Sequence, residues 1–240
     1  MRATDLLKKS TQTDWDAATD HPFCKELADG TLPLDKMRWY LVQDYKFIGE
    51  FVRLLATAIA HAPKLADRVP MAQFLGLVTS TENTYFLRSF EALEVSTENQ
   101  NAPAAPATRA FQDLMHAVRT SGRYEQMLAV LIVAEWSYLT WATRYKNYST
   151  DLPFWFSEWI DLHTGEGFEN VVGHLRDQLD NVWADLDDDH QSKAITMFND
   201  AVLCERVFFE AAFTDQRAKQ GSSQQRNTKS HRDLGICLIL

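Results

Sequence analysis

Apolar residues recur three and four positions apart along most of the chain, the spacing of one buried helix face. The segment "DLLKKSTQTDWDAAT" predicts an opening helix that ends at the His21-Pro22 step. In "DGTLPLDK", Gly30 supplies a left-handed turn position, and Pro33 with Asp35 opens a helix that runs to Pro63. A third long helix covers "AQFLGLVTSTENTYFLRSFEALEV", followed by the connector "STENQNAPAAPAT". After it come "ATRAFQDLMHAVRTSG", stopped at Gly122, and "YEQMLAVLIVAEWSYLTWATRYKNYS", the most apolar stretch and the expected central helix. A shorter piece around "FWFSEWIDLH" precedes "GFENVVGHLRDQLDNVWADL" and "DDDHQSKAITMFNDAVLCERVFFEAAF". Alternating strand patterns, hairpin dipeptides and internal repeats are missing from the sequence. The reading is one all-α domain of seven or eight helices over residues 1–215, with a polar, disordered tail at 216–240.

Composition narrows the class. Of 240 residues, 45% are apolar and 24% charged, enough for a sizeable core. The net charge of −9 argues against nucleic acid, whose phosphates require a basic stripe. Cys24, Cys204 and Cys237 are odd in number and widely spaced, which suits a reducing compartment rather than a disulfide framework or a zinc site. The N-terminus lacks an apolar signal region and no apolar run reaches the roughly 20 residues of a membrane span. A cytoplasmic protein is expected, with no nucleic-acid partner, no cofactor and no metal.

Three carboxylates sit in aromatic-bearing helical segments. Asp44, Phe47 and Phe51 share one face of "VQDYKFIGEF" by their i, i+3, i+7 spacing. Glu205 stands one turn before Phe208 and Phe209 in "LCERVFFEAAF". Read alone, each fits an exposed acid at the flank of a buried stripe. Glu135, one turn before Tyr138 in "AEWSYLTWA", is different, because residues 128–133 are apolar and the helix is covered on most sides. Three such acids meeting in a bundle would give a polar pocket where burial drives pKa values apart. Aromatic walls suit a flat heterocycle, and carboxylates suit its amino and ring N–H groups.

Other chemistries lack their residues. No Glu-x-x-His pair signals a di-iron bundle, Asp113 with His116 being a single near miss. There is no G-x-S-x-G, and "GEGFEN" lacks the strand and third glycine of a phosphate loop. Cys204 and Glu205 are adjacent and so face apart on a helix.

Taken together, "HPFCKELADGTLPLDKMRWYLVQDYKF", "AEWSYLTWA" and "CERVFFEAAF" resemble the TenA/thiaminase II family of thiamin salvage, over about residues 5–215. The resemblance implies a haem-oxygenase-like helical fold and a homo-oligomer, dimer or tetramer. It implies that Asp44 holds an aminopyrimidine ring, that Glu205 gives and takes protons, and that Tyr138 walls the pocket. The family's common form carries a nucleophilic Cys where this chain has Ala134. Phe47, Phe111 and His163 stand where that form has pocket tyrosines. A branch without the cysteine carries Glu immediately after its position, as Glu135 does here. The implied reaction is hydrolysis of aminomethyl- or formylaminomethyl-pyrimidine with Glu205 and Glu135 as acid/base pair, thiamin cleavage being unexpected without the thiol.

The tail ends Cys-Leu-Ile-Leu, which fits a prenylation signal at Cys237, although an unmodified tail is the simpler expectation. Two other readings stay open: a pyrimidine-binding or regulatory protein on the same scaffold, and an oxidase.

Overall fold

The computed structural model describes residues 2–229, of which 215–229 contribute their backbone path alone. The described residues form twelve α-helices and one π-turn, with no strand among them. The helices are α1 (Ala3–Ser10), α2 (Gln12–Thr19), α3 (Pro22–Ala28), α4 (Leu34–His61), α5 (Leu65–Leu77), α6 (Asn83–Ala92) and α7 (Thr97–Gln100). They continue as α8 (Pro106–Ser121), α9 (Tyr124–Tyr145), α10 (Phe154–Leu162), α11 (Gly165–Trp183) and α12 (Asp188–Lys229). The π-turn, Val78–Glu82, joins α5 to α6.

The all-α reading holds, but the count of seven or eight helices is too low. The opening helix breaks at Thr11, whose backbone leaves the helical region and whose N–H returns to the Lys8 carbonyl. The third long helix is split by the π-turn, and the connector holds the single turn α7. Helical periodicity survives such breaks, so the pattern alone does not reveal them. The expected turn is present, with Gly30 at φ +70° and Asp35 in the first turn of α4. Gly122 ends α8 at φ +68°, a left-handed position that costs glycine no side-chain clash. Residues 230–240, with the proposed lipidation at Cys237, lie outside the described residues.

Helix α9 is the axis of the molecule, packed mainly against α12 and α11, while α4 packs against α8. From Met127 to Val133 every side chain is fully buried. Each large apolar side chain so buried stabilises the fold by about 1.5–3 kcal/mol. No helix among the described residues is long and apolar enough to cross a membrane.

The ends of the bundle are tied by polar contacts. His21 caps α3, its Nδ1 accepting the Phe23 N–H at 3.1 Å while Nε2 faces Glu210 of α12 at 3.2 Å. Trp136 is held between the Lys8 ammonium, 4.7 Å from its ring, and the Arg176 guanidinium at 3.8 Å. These cations fix the turn of α9 that carries Glu135.

Candidate active site

Asp44, Glu135 and Glu205 come from three different helices, and all three are buried. Each has a neighbour in the ring system one turn away, namely Tyr40 and Phe47 for Asp44, Tyr138 for Glu135, and Phe209 for Glu205. Their carboxyls lie near enough for their charges to act on one another. Burial, then the charge of Glu82, lifts Asp44 well above the ordinary carboxylate range. Burial, then Glu82 and Asp44, does the same to Glu135, and burial with Asp44 and Glu135 raises Glu205. Among the described residues no Lys, Arg or His acts on these acids. The Glu205 Oε1 atom is buried with no hydrogen-bond partner. An unpaired, desolvated carboxyl is costly, and it is relieved by a proton or by a ligand group that donates to it.

A hydrogen-bonded aromatic network supports the Asp44 end. The Trp159 indole N–H donates to the Tyr40 oxygen at 3.1 Å, and the Tyr40 and Tyr138 hydroxyls meet at 2.7 Å. A bond from the Tyr40 hydroxyl pulls against the rise at Asp44. With the Tyr40 proton turned to Asp44, Tyr138 is the donor in the hydroxyl pair.

Ring contacts continue around the site. Phe47 meets Phe51 and Phe111, with centroids 5.7 and 4.9 Å apart. Phe51 meets Phe74, and Phe74 meets Phe168, each at 6.3 Å. Phe168 lies 5.2 Å from His163, which lies 4.8 Å from Tyr138. Tyr138 then meets Phe209 at 5.8 Å, and Phe209 stacks on Tyr40 at 6.3 Å. The rings come from six helices, α4, α5, α8, α9, α11 and α12, and from the connector after α10, so no single segment displays them. Phe111 is fully buried and Phe47 half-buried, both as apolar wall.

His163 caps α10 and is buried, its Nδ1 donating to the Trp159 carbonyl at 2.8 Å. Burial pulls its pKa down to about 4, so near neutral pH the ring is uncharged with Nε2 open as an acceptor. It stands in the ring circuit, as a substitute for a wall residue would.

Ala134 is buried and offers no thiol. Cys24 does not replace it: the side chain is fully buried, and burial with the Glu205 charge pushes its pKa well up. Such a thiol stays protonated and unreactive. Arg206 points away as its neighbour position requires, with its NH1 atom 2.5 Å from Asp14 on the surface.

A fourth acid was missed in the sequence. Glu82 ends the π-turn, and burial of its carboxyl raises it to about 8 although part of the side chain reaches solvent. The signal existed: Val78, Glu82, Tyr85 and Ser89 follow the same helical face rule that selected Asp44. Tyr40 and Trp159 were also passed over, because a buried aromatic in a helix looks like ordinary core.

Among the described residues, no three of the four acids place carboxylate oxygens all within 4.8 Å of one another. The one His/Asp/Glu/Cys group among the described residues that does so is Asp187, Asp189 and His190, at the surface where α12 begins. A cleft of about 710 Å³ between α4 and the 95–106 connector holds Arg38, Trp39 and Arg109 but none of the four acids. A smaller pocket of about 220 Å³ opens beside Glu82 and Phe168.

A strand-free helical bundle of this kind is an all-α, haem-oxygenase-like fold. The chain belongs to the TENA/THI-4/PQQC family, whose sequence profile matches residues 8–215. It is 26% identical over 218 residues to the aminopyrimidine aminohydrolase of Halalkalibacterium halodurans, covering 89% of this chain and 96% of that one. The aminopyrimidine aminohydrolase of Bacillus subtilis is 24% identical over 184 residues, 76% of this chain and 77% of its own. Among solved structures, a TenA homologue from Pyrococcus furiosus superposes with a TM-score of 0.79 at 20% identity, covering 88% of this chain and 99% of that one. The haem oxygenase of Synechocystis superposes at 0.60, with 12% identity, 95% of this chain and 99% of that one.

Proposed function

We propose that this chain is a hydrolase of thiamin salvage that acts on degraded thiamin pyrimidines, the aminomethyl- or the formylaminomethyl-pyrimidine. What supports this reading is that three buried acids without a cation act on one another, on helices that also carry the aromatic circuit. An aminopyrimidine supplies what such a site lacks: N–H donors for the acids and a flat ring for the walls. The relatives named aminopyrimidine aminohydrolases support the same substrate class.

Asp44 binds the ring edge. A carboxyl that holds or shares its proton accepts from the exocyclic amino group while sharing a proton with the adjacent ring nitrogen. Tyr40 holds Asp44, and Tyr138, Phe47, Phe111 and His163 wall the ring. Glu205 and Glu135 form the acid/base pair. In the amine reaction the C–N bond breaks with its electron pair on nitrogen, ammonia leaves, and water forms the new C–O bond. One carboxylate takes the water proton while the other, as the acid, serves the departing nitrogen. In the formamide reaction water adds to the formyl carbon, and formate and the amine separate. Raised pKa values suit both roles, since burial makes each carboxylate a stronger base and lets the other keep a proton to give. Without a thiol at Ala134, thiamin cleavage through a covalent adduct has no nucleophile.

The test is incubation of purified protein with both pyrimidines and with thiamin, followed by product analysis. Conversion of a pyrimidine by the wild type, lost in Glu205→Gln and Glu135→Gln, supports the reading. Wild-type protein that binds the pyrimidines without converting them would make it a binding protein on this scaffold.

A further inference from the structure

Glu82 is half-buried and lines a pocket that none of Asp44, Glu135 and Glu205 lines. The π-turn that carries it is anchored through the first turn of α6. The Tyr45 hydroxyl donates to Asn83 Oδ1 at 3.0 Å, next to Asp44 in sequence, and the Tyr85 hydroxyl donates to the Trp155 carbonyl at 2.7 Å. A π-turn inserts a wide turn into a helix, and such turns recur at functional sites because they re-aim a side chain. Here Glu82 lines the 220 Å³ pocket together with Phe74, Thr81, Thr164, Phe168 and a second acid, Asp161, whose Oδ2 already accepts from the Tyr148 hydroxyl at 2.7 Å. Phe168 touches His163, and His163 touches Tyr138, so the pocket adjoins the aromatic circuit.

Glu82 is also electrically part of the cluster. It acts on Asp44 and Glu135, whereas Glu205 responds to Asp44 and Glu135. Of the four acids, Glu82 is the one that lines the pocket, and it is coupled to Asp44 and Glu135. Burial raises Glu82 to about 8, and no cation among the described residues offsets it. Four acids without a counter-charge favour a ligand that brings one.

We propose that Glu82 is a specificity-determining residue of this site, its carboxylate receiving the protonated aminomethyl group of the substrate at the pocket end and selecting cationic amines over neutral formamides. The proposal rests on the hydrolase reading and narrows its substrate class. Before substrate binds, Glu82 holds its proton, so an amine either takes that proton on entering or, arriving as an ammonium, displaces it to solvent. The ion pair leaves the nitrogen with the proton it needs to depart. The C–N bond breaks with its pair on nitrogen, ammonia departs toward the pocket, and the water that forms the C–O bond loses its proton to a carboxylate. A neutral formamide forms no ion pair with Glu82 and gains nothing from the charge.

The experiment compares wild type, Glu82→Gln and Glu82→Asp on both pyrimidines, with equilibrium binding of the amine and of neutral hydroxymethylpyrimidine. Losing a charge-assisted hydrogen bond costs about tenfold in affinity. The amine-to-formamide ratio of kcat/KM is expected to fall about tenfold in Glu82→Gln through the KM of the amine, and Glu82→Asp is expected to recover part of it. Equal losses on amine and formamide, or no loss, overturn the proposal, because a merely structural role moves both substrates together. If wild type converts neither pyrimidine but binds the amine with a Glu82-dependent preference, the hydrolase reading falls and the amine site stands. If it binds neither the amine nor hydroxymethylpyrimidine, both fall.

Discussion

Helix α4 carries two buried carboxylates that meet opposite fates. Glu50 lies against Arg53 at 2.9 Å and Arg119 at 3.0 Å, with His116 at 3.8 Å. Burial works to raise its pKa, but the bonds and charges of Arg53 and Arg119 outweigh it and hold the group below its ordinary value. Asp44, under two turns earlier and buried to a similar degree, meets no cation: burial, then Glu82, raises its pKa, and the Tyr40 hydroxyl only tempers the rise. Glu50 pins α8 to α4 and spends its charge on the fold. Asp44 keeps unmet hydrogen-bonding capacity for something that is not part of the chain. Burial alone therefore does not mark a functional acid; burial without a cation does.

The sharpest way to break the comparison is to neutralise one acid of each kind. Glu205→Gln is expected to lower kcat on the preferred pyrimidine by roughly 10²–10⁴, the usual worth of a positioned acid or base. Glu50→Gln is expected to stay within about threefold by the same assay. Comparable losses in both would mean that the site acids act through the fold. Asp44→Asn comes next. It should raise the KM of the pyrimidine about tenfold or more, as loss of one charge-assisted contact does, without lowering the melting temperature. Glu50→Gln should instead cost about 1–3 kcal/mol in denaturant unfolding, because it leaves Arg119 poorly paired.

The pH dependence of stability separates the two groups by sign. Glu82 has an ordinary value of 4.5 and is raised to about 8, so between those values the folded chain holds a proton that the unfolded chain has released. Its contribution is fully present below 4.5 and is lost as pH rises toward 8. Glu50 is lowered, so its contribution is present above the ordinary value and is lost as pH falls through the folded one. Melting curves of the ligand-free protein should show a shallower decline between pH 4.5 and 8 in Glu82→Gln than in wild type. Parallel curves would place Glu82 in ordinary solvent. The smallest effects belong on the outer face of α12: Arg206→Ala is expected to leave kcat/KM within about twofold, and a larger change would mean that the surface pair with Asp14 positions Glu205.

The helical scaffold was legible because burial in a bundle imposes a repeat of three to four residues that needs no knowledge of partners. Glu135 was legible from the apolar neighbours on its own helix, whereas Asp44 and Glu205, read alone, fitted exposed flank acids and joined the site through the family resemblance. Glu82 obeyed the same face rule and was missed because "TSTEN" is polar enough to pass for a solvated turn. Tyr40 and Trp159 were hidden for the opposite reason: their bodies are core, and their polar atoms matter through each other, on α4 and α10.

What the sequence determined by itself was local: which stretches coil, where Gly30 and Gly122 turn the chain, and that Ala134 offers no sulfur. Those properties depend on backbone geometry and side-chain chemistry within a few residues. Which acids lack a cation was decided by tertiary structure alone, since Glu50 and Asp44 look equivalent until α8 brings Arg119 to one and α9, α12 and the π-turn bring more acid to the other. Electrostatic environment is set by distances across the bundle, and a linear pattern does not contain them.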